Sequence, residues 1–275
     1  MSSHTVGDRP GRAGSGGGHR HRGVPGGPGA MTEDRTQNPS LSTPGERYGE
    51  RLRTNSSAEQ VQSRVMQAET RSLAMTFNDL TASGALPQAA AVILGARRRY
   101  ITGEGKSAMY AGLLSADLSA TLSNVFLIDG HALTPLTVLT DVRDKDLLIA
   151  FSLRRYRRET TKLGELFRAA GGKLVLVTDS DEAPLAPLAD ATIRVRTDSA
   201  SYADSPTAMA AVCHLLSTLT TASAKGARRR LTIRDELATA LDLYQPLAPD
   251  SRTPGPHTPD GDTTHPGVAE DGAHP

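Results

Sequence analysis

Hydrophobic positions change their period several times along the chain, and each change marks a predicted element. Residues 58–80 carry Val61, Val65, Ala68, Leu73 and Phe77 at spacings near three to five, the stripe of a long amphipathic helix, and residues 86–94 suit a second one. A short strand at 99–102 (RYIT) runs into the turn 103–107 (GEGKS), which opens a helix over 108–122. The alternation continues with a strand at 124–128, a helix near 133–139, a strand at 146–151, and a helix at 159–170 stopped by Gly171 and Gly172. Strands follow at 173–178 and 191–195. Residues 147–151 are apolar without alternation, as in a parallel strand covered on both faces. Strands joined by helical crossovers predict an α/β, doubly wound, parallel sheet of five strands. Ser205 and Pro206 then open a helix as cap and first residue, running to 224, and a last helix spans 232–244 after the basic KGARRR.

The flanks lack this patterning. Residues 1–57 are rich in Gly, Pro, Ser and Arg and read as a disordered arm, residues 246–275 as a disordered tail, which leaves one domain over 58–245. Met31 is a second candidate start, and His19 and His21 on the arm lack the supporting partners that a metal site needs. With 275 residues and 37% hydrophobic composition the chain can bury one medium core. Its 31 Lys and Arg nearly balance 30 Asp and Glu, so the formal net charge of +1 excludes a general polyanion binder. The single cysteine, Cys213, sits in an apolar helical pattern and reads as a core thiol in a reducing compartment, with His214 beside it as a core or interface histidine. No apolar run reaches membrane-spanning length and no apolar signal segment opens the chain, so the expectation is a cytoplasmic protein with no membrane contact.

Chemistry-bearing residues gather at strand ends. In the 103–107 turn, Gly103, Gly105, Lys106 and Ser107 stand where glycines admit a ligand and helix N-terminal amides favour an anion. The turn is not a nucleotide-triphosphate loop, which would need a glycine at Tyr100, nor a dinucleotide fingerprint, whose third glycine falls at Ala108. The strand at 146–151 delivers Ser152 and then Arg154, Arg155, Arg157 and Arg158; the next strand ends in Thr178, Asp179 and Ser180. Carboxyl ends of parallel strands are where such sheets hold ligands. The competing role for the arginines is pairing with Glu159 or Asp181. Acid–base candidates are Glu104, His131 with Asp129 two residues earlier, and Glu159, although Glu159 also suits a helix N-terminus and His131 a polar loop. The runs Arg97-Arg98-Arg99 and Arg228-Arg229-Arg230 read as cations matched to helix termini, not as a nucleic-acid surface.

Four segments, G-E-G-K-S-x-x-x-A from Gly103, D-K-D-L-L-I-A-F-S from Asp144, R-R-Y-x-R-E-T from Arg154 and V-T-D-S-D-E-A-P-L-A-P-L-A-D from Val177, resemble the sugar isomerase (SIS) domain. They are most similar to the ligand domain of the RpiR/MurR family of bacterial sugar-phosphate-responsive regulators, over roughly residues 58–244. The resemblance implies a flavodoxin-like, five-stranded domain that binds a phosphosugar, as a homodimer or higher homo-oligomer, without cofactor or metal. By position it assigns Gly103, Gly105 and Ser107 to the first phosphate-holding turn and Ser152 to the head of a Ser-x-Ser-Gly-x-Thr loop. Here Arg154, Arg155, Tyr156 and Arg157 stand where many SIS domains have Ser-Gly-x-Thr, so guanidinium pairing replaces hydroxyl cradling. The family's N-terminal helix-turn-helix has no counterpart in the pattern of residues 1–57, so direct nucleic-acid binding is not expected. The expectation is a phosphosugar-binding sensor or accessory factor with ligand residues Gly103, Gly105, Lys106, Ser107, Ser152, Arg154, Arg155, Arg157, Thr178 and Ser180. An aldose–ketose phosphosugar isomerase, or a regulator borrowing a partner's DNA-binding domain, are the alternatives.

Overall fold

The computed structural model describes residues 43–52 and 56–245. The disordered arm and tail, Met31 as a start, and His19 and His21 concern residues largely or wholly outside that range. Before the sheet come α1 (Pro44–Arg51), α2 (Ala58–Ser83) and α3 (Ala85–Gly95). The sheet and its crossovers then run β1 (Arg98–Gly103), α4 (Lys106–Thr121), β2 (Val125–Leu127), α5 (Pro135–Leu139), β3 (Asp146–Phe151), α6 (Arg158–Ala169), β4 (Lys173–Thr178) and β5 (Ala191–Arg194). Helices α7 (Thr207–Ser223) and α8 (Ala227–Ala240) close the described chain.

The five strands form one sheet in the order β2-β1-β3-β4-β5, and every pairing is parallel. The wholly buried β3 shows why its sequence does not alternate. Leu147, Ile149 and Phe151 join one hydrophobic cluster with residues of α3, α4 and α7, while Leu148 and Ala150 join a second with Leu163 and Phe167 of α6. The chain goes outward from β1 to β2 and returns past β1 to β3, so the carboxyl ends of β1 and β3 flank the point where the winding reverses. Open α/β sheets leave their ligand crevice there, because the two crossovers leave in opposite directions.

The first basic run is committed to this frame. Arg98 pairs with Asp141 and with the fully buried Asp146, whose carboxylate also accepts from the Arg143 amide. The Arg99 guanidinium donates to the Ile93 and Leu94 carbonyls at the carboxyl end of α3, which is the dipole match expected of it. The second basic run differs from expectation. The last helix begins at Ala227 after Gly226 in the left-handed conformation, so Arg228, Arg229 and Arg230 occupy its first turn, the unfavourable end of its dipole. Arg230 instead reaches the Ser119 carbonyl near the end of α4.

The helices before the sheet also depart from the pattern. In α2 the fully buried side chains are Ser72, Thr76 and Leu80, while of the Val61-to-Phe77 stripe Leu73 packs against the core and Phe77 is exposed. Ser72 donates to the Asp198 carbonyl and Thr76 accepts from the Arg196 amide, so a hydrogen-bonded seam against the segment after β5 accompanies the apolar contact. Helix α1 was not expected at all. Its one buried side chain among those described is Arg47, so no apolar period announces it. Cys213 is buried as expected; His214 is exposed, which removes the core alternative for it. Among the described residues no helix is long and apolar enough to cross a membrane.

Candidate functional site

The β1 turn is shaped by two glycines that tolerate no side chain. A Cβ on Gly103 would stand 2.6 Å from the Ser107 carbonyl oxygen, and Gly105 adopts φ +61°. Gly105 leads straight into α4, whose N-terminus has no side-chain cap. Across the crevice, the loop after β3 leads into α6, whose N-terminus at Arg157 likewise has no side-chain cap. Two helix N-termini without side-chain caps thus converge on one place, which favours an anion.

Between them lies a cavity of about 410 Å³ lined by Glu104, Gly105, Lys106 and Ser107 on one side and by Ser152, Arg154, Arg155, Arg157 and Thr160 on the other. That volume lies within the usual range for small-molecule sites. The Ser152 and Thr160 hydroxyls are buried and find no hydrogen-bond partner. Buried hydroxyls normally do, and these two belong to residues lining the same cavity as the free cations.

The arginines divide by role. Arg154 is fixed: its amide and Nε donate to Asp179, which also accepts from the Tyr156 hydroxyl at 3.3 Å. Its carboxylate partners are Asp179 and, more distantly, Asp204 rather than Glu159 or Asp181; Asp181 pairs with Arg194. Burial pushes the Tyr156 hydroxyl pKa up, and the Asp179 charge adds to it, so the hydroxyl stays a donor at neutral pH. Arg155 and Arg157 are exposed, and among the described residues neither has a carboxylate partner. The Arg157 guanidinium leans over the turn, with Nη2 3.4 Å from where a Gly105 Cβ would stand. Arg155 has φ +63°, the glycine-favouring conformation, at the position where the resemblance aligns a glycine.

The remaining expected residues lie elsewhere. Thr178 is wholly buried and Ser180 accepts from the Glu182 amide; neither lines the cavity. Asp179, between them, serves the site through Arg154. His131 and Glu159 are exposed and line no part of it. The Asp129 carboxylate accepts from the His131 and Leu133 amides, which holds its pKa down and orients the loop rather than the imidazole. Among the acid–base candidates only Glu104 reaches the cavity.

Sequence reasoning missed Arg47, Tyr110, Thr160, Asp204 and Ser205, all of which line the cavity. Thr160 closes the R-R-Y-x-R-E-T segment and could have been found as a first-turn hydroxyl of α6. The others carry no local signal. Burial pushes the Tyr110 hydroxyl up to about 12, so it too remains protonated. Asp204 gathers cations: its carboxylate accepts from Arg47 at 2.6 Å, and its carbonyl accepts from Lys106. Among the described residues no group of three His, Cys, Asp or Glu side chains is placed to hold a metal ion.

Residues 92–219 match the family model of the SIS domain, so the sheet and its crevice are a SIS domain. No curated protein matches the chain significantly. Among solved structures, it is similar to the sugar isomerase domain of an RpiR transcription factor from Sphaerobacter thermophilus. That match has a TM-score of 0.60 and 26% identity over 66% of this chain and 99% of the other. It is also similar in fold to the Vibrio vulnificus NanR protein complexed with ManNAc-6P, with a TM-score of 0.53 and 15% identity over 67% of this chain and 73% of the other.

Proposed function

We propose that this chain binds a phosphorylated sugar or amino sugar at the ends of β1 and β3, and acts as a sensor or accessory regulator of carbohydrate metabolism in the cytoplasm. The observation that carries the reading is the pair of buried, unpartnered hydroxyls of Ser152 and Thr160, two residues lining a cavity with helix N-termini that have no side-chain cap and with the unpaired Arg155 and Arg157. A phosphate offers acceptor oxygens to the hydroxyls and amides and bidentate geometry to the guanidinium groups. Tyr110 and Glu104 are left for the sugar hydroxyls, the Asp204 carboxylate being taken by Arg47 and Arg154. The SIS match and the ManNAc-6P bound by NanR, a protein of the same fold, support this class of ligand.

The reading includes a homodimer or higher homo-oligomer, supported by exposed apolar side chains such as Phe77 on α2 and Leu219 on α7, and light scattering checks it. It assigns the chain no direct nucleic-acid contact, since Arg98 and Arg99 are bonded within the domain. The test is a thermal-shift panel of hexose, pentose and amino-sugar phosphates on the wild type, Ser107→Ala and Arg155→Ala. At least one phosphosugar is expected to stabilise the wild type and to stabilise both variants less. The absence of any phosphosugar that stabilises the wild type would refute the reading. The isomerase alternative now rests on Glu104, and a turnover by the wild type that Glu104→Gln abolishes would establish it.

A further inference from the structure

Helix α1 precedes residues 92–219, yet it supplies part of the cavity wall through Pro44 and Arg47. It has almost nothing apolar to hold it there. Arg47 is its one buried side chain among those described, and Arg51 donates to the Ser199 and Ser201 carbonyls of the segment after β5. The Arg47 side chain is only 4% exposed; Nη1 donates to Asp204, but Nε finds no partner. A buried guanidinium N–H is strongly unfavourable without an acceptor, and this one belongs to a residue lining the cavity that Lys106, Arg154, Arg155 and Arg157 also line. Asp204 meanwhile stands among these cations as the chain's own anion, 3.9 Å from Arg154 Nη1.

We infer that Arg47 is a ligand-reading residue: its Nε donates to the bound anionic sugar, so α1 seats on the ligand, and occupancy of the SIS domain is relayed to the segment that precedes it. This rests on the phosphosugar reading above. Arg47 is placed to discriminate ligands by an acceptor that the glycine turn and the arginine loop do not reach from their own sides, and it links binding to a helix that Arg51 also ties to the Ser199 and Ser201 carbonyls.

The test is calorimetric titration of the full chain with N-acetylmannosamine 6-phosphate and with inorganic phosphate, together with hydrogen exchange of residues 44–51. Arg47→Ala is expected to weaken binding about tenfold or more, the usual loss for a hydrogen bond to a charged group. Arg47→Lys keeps the charge but lacks the Nε donor and is expected to fall short of the wild type. Asp204→Asn breaks the ion pair yet keeps Nε and removes an anion from the cavity, so it should bind at least as tightly as the wild type. Ligand should slow exchange in 44–51 in the wild type and not in Arg47→Ala. Equal weakening by Arg47→Ala and Asp204→Asn, or exchange unaffected by ligand, would overturn the inference by showing that Arg47 only pins α1. If neither probe binds the wild type, the panel member that stabilises it best takes their place; if no panel member does, the phosphosugar reading falls and takes this one with it, whereas unchanged affinity in Arg47→Ala removes this one alone.

Discussion

Replacing Ser152 by Ala and Thr160 by Val separates a ligand-directed hydroxyl from a structural one, because the two roles predict opposite signs for stability. Ser152 and Thr160 are each 2% exposed and their hydroxyls have no partner. An unpartnered buried hydroxyl carries a desolvation penalty of about 1–3 kcal/mol. Removing it while keeping the shape should therefore raise the stability of the unliganded protein, by ~1 kcal/mol per site once small packing losses are subtracted, or about 2–4 °C in Tm for a domain of this size. Ligand binding should move the other way. Each lost hydrogen bond to an anionic phosphate is worth about 1.5–3 kcal/mol, a ten- to hundredfold rise in Kd. Urea unfolding, read as a shift of midpoint at constant slope, measures the first effect, and titration with N-acetylmannosamine 6-phosphate the second. The reasoning is refuted if either variant loses more than about 1 kcal/mol without ligand while binding unchanged, for then the hydroxyl supports the fold.

Three further outcomes are expected. Gly103→Ala should abolish phosphosugar binding and lower Tm, since its Cβ would meet the Ser107 carbonyl at 2.6 Å and displace the first turn of α4; circular dichroism and titration report both. Arg155→Gly should relieve the φ of +63°, stabilising the unliganded chain by ~1 kcal/mol in urea unfolding while weakening ligand, an exchange of stability for charge. Burial raises the Cys213 thiol from 9.0 to about 12 and the Tyr110 hydroxyl from 10.0 to about 12. Between those limits the unfolded chain has released protons that the folded one retains, so stability is intact below pH ~9 and falls as pH rises to 12. Cys213→Ala should flatten the first part of that fall in a pH series of thermal melts, and an unchanged profile would place the titrating groups elsewhere.

The sequence by itself determined the sheet. The unbroken apolar run of β3 required cover on both faces, and the glycines at 103 and 105 marked a turn that only a backbone close to its own helix needs. Ser107, Ser152, Arg154, Arg155 and Arg157 were legible for the same reason: each follows a strand within a few residues, so the local period fixes where it emerges. Their departures from a hydroxyl-rich loop were legible too, down to the glycine position that Arg155 fills with a positive φ.

Tertiary structure alone decided which residues complete the cavity and which merely neighbour it. Arg47 and Asp204 are 157 positions apart and meet through an ion pair that leaves no period in either segment. The buried face of α2 was hidden for a related reason, since Ser72 and Thr76 satisfy backbone groups beyond β5 and a hydrogen-bonded seam has no hydrophobic signature. His131 and Thr178 show the converse. Proximity in sequence to a strand end suggested a site, but Asp129 turns the first loop by its backbone amides, and the second side chain points into the protein rather than the crevice. Hydrophobic periodicity reports burial within one element, whereas polar contacts between distant elements are set by how the elements pack, and in this chain the second kind closes the site.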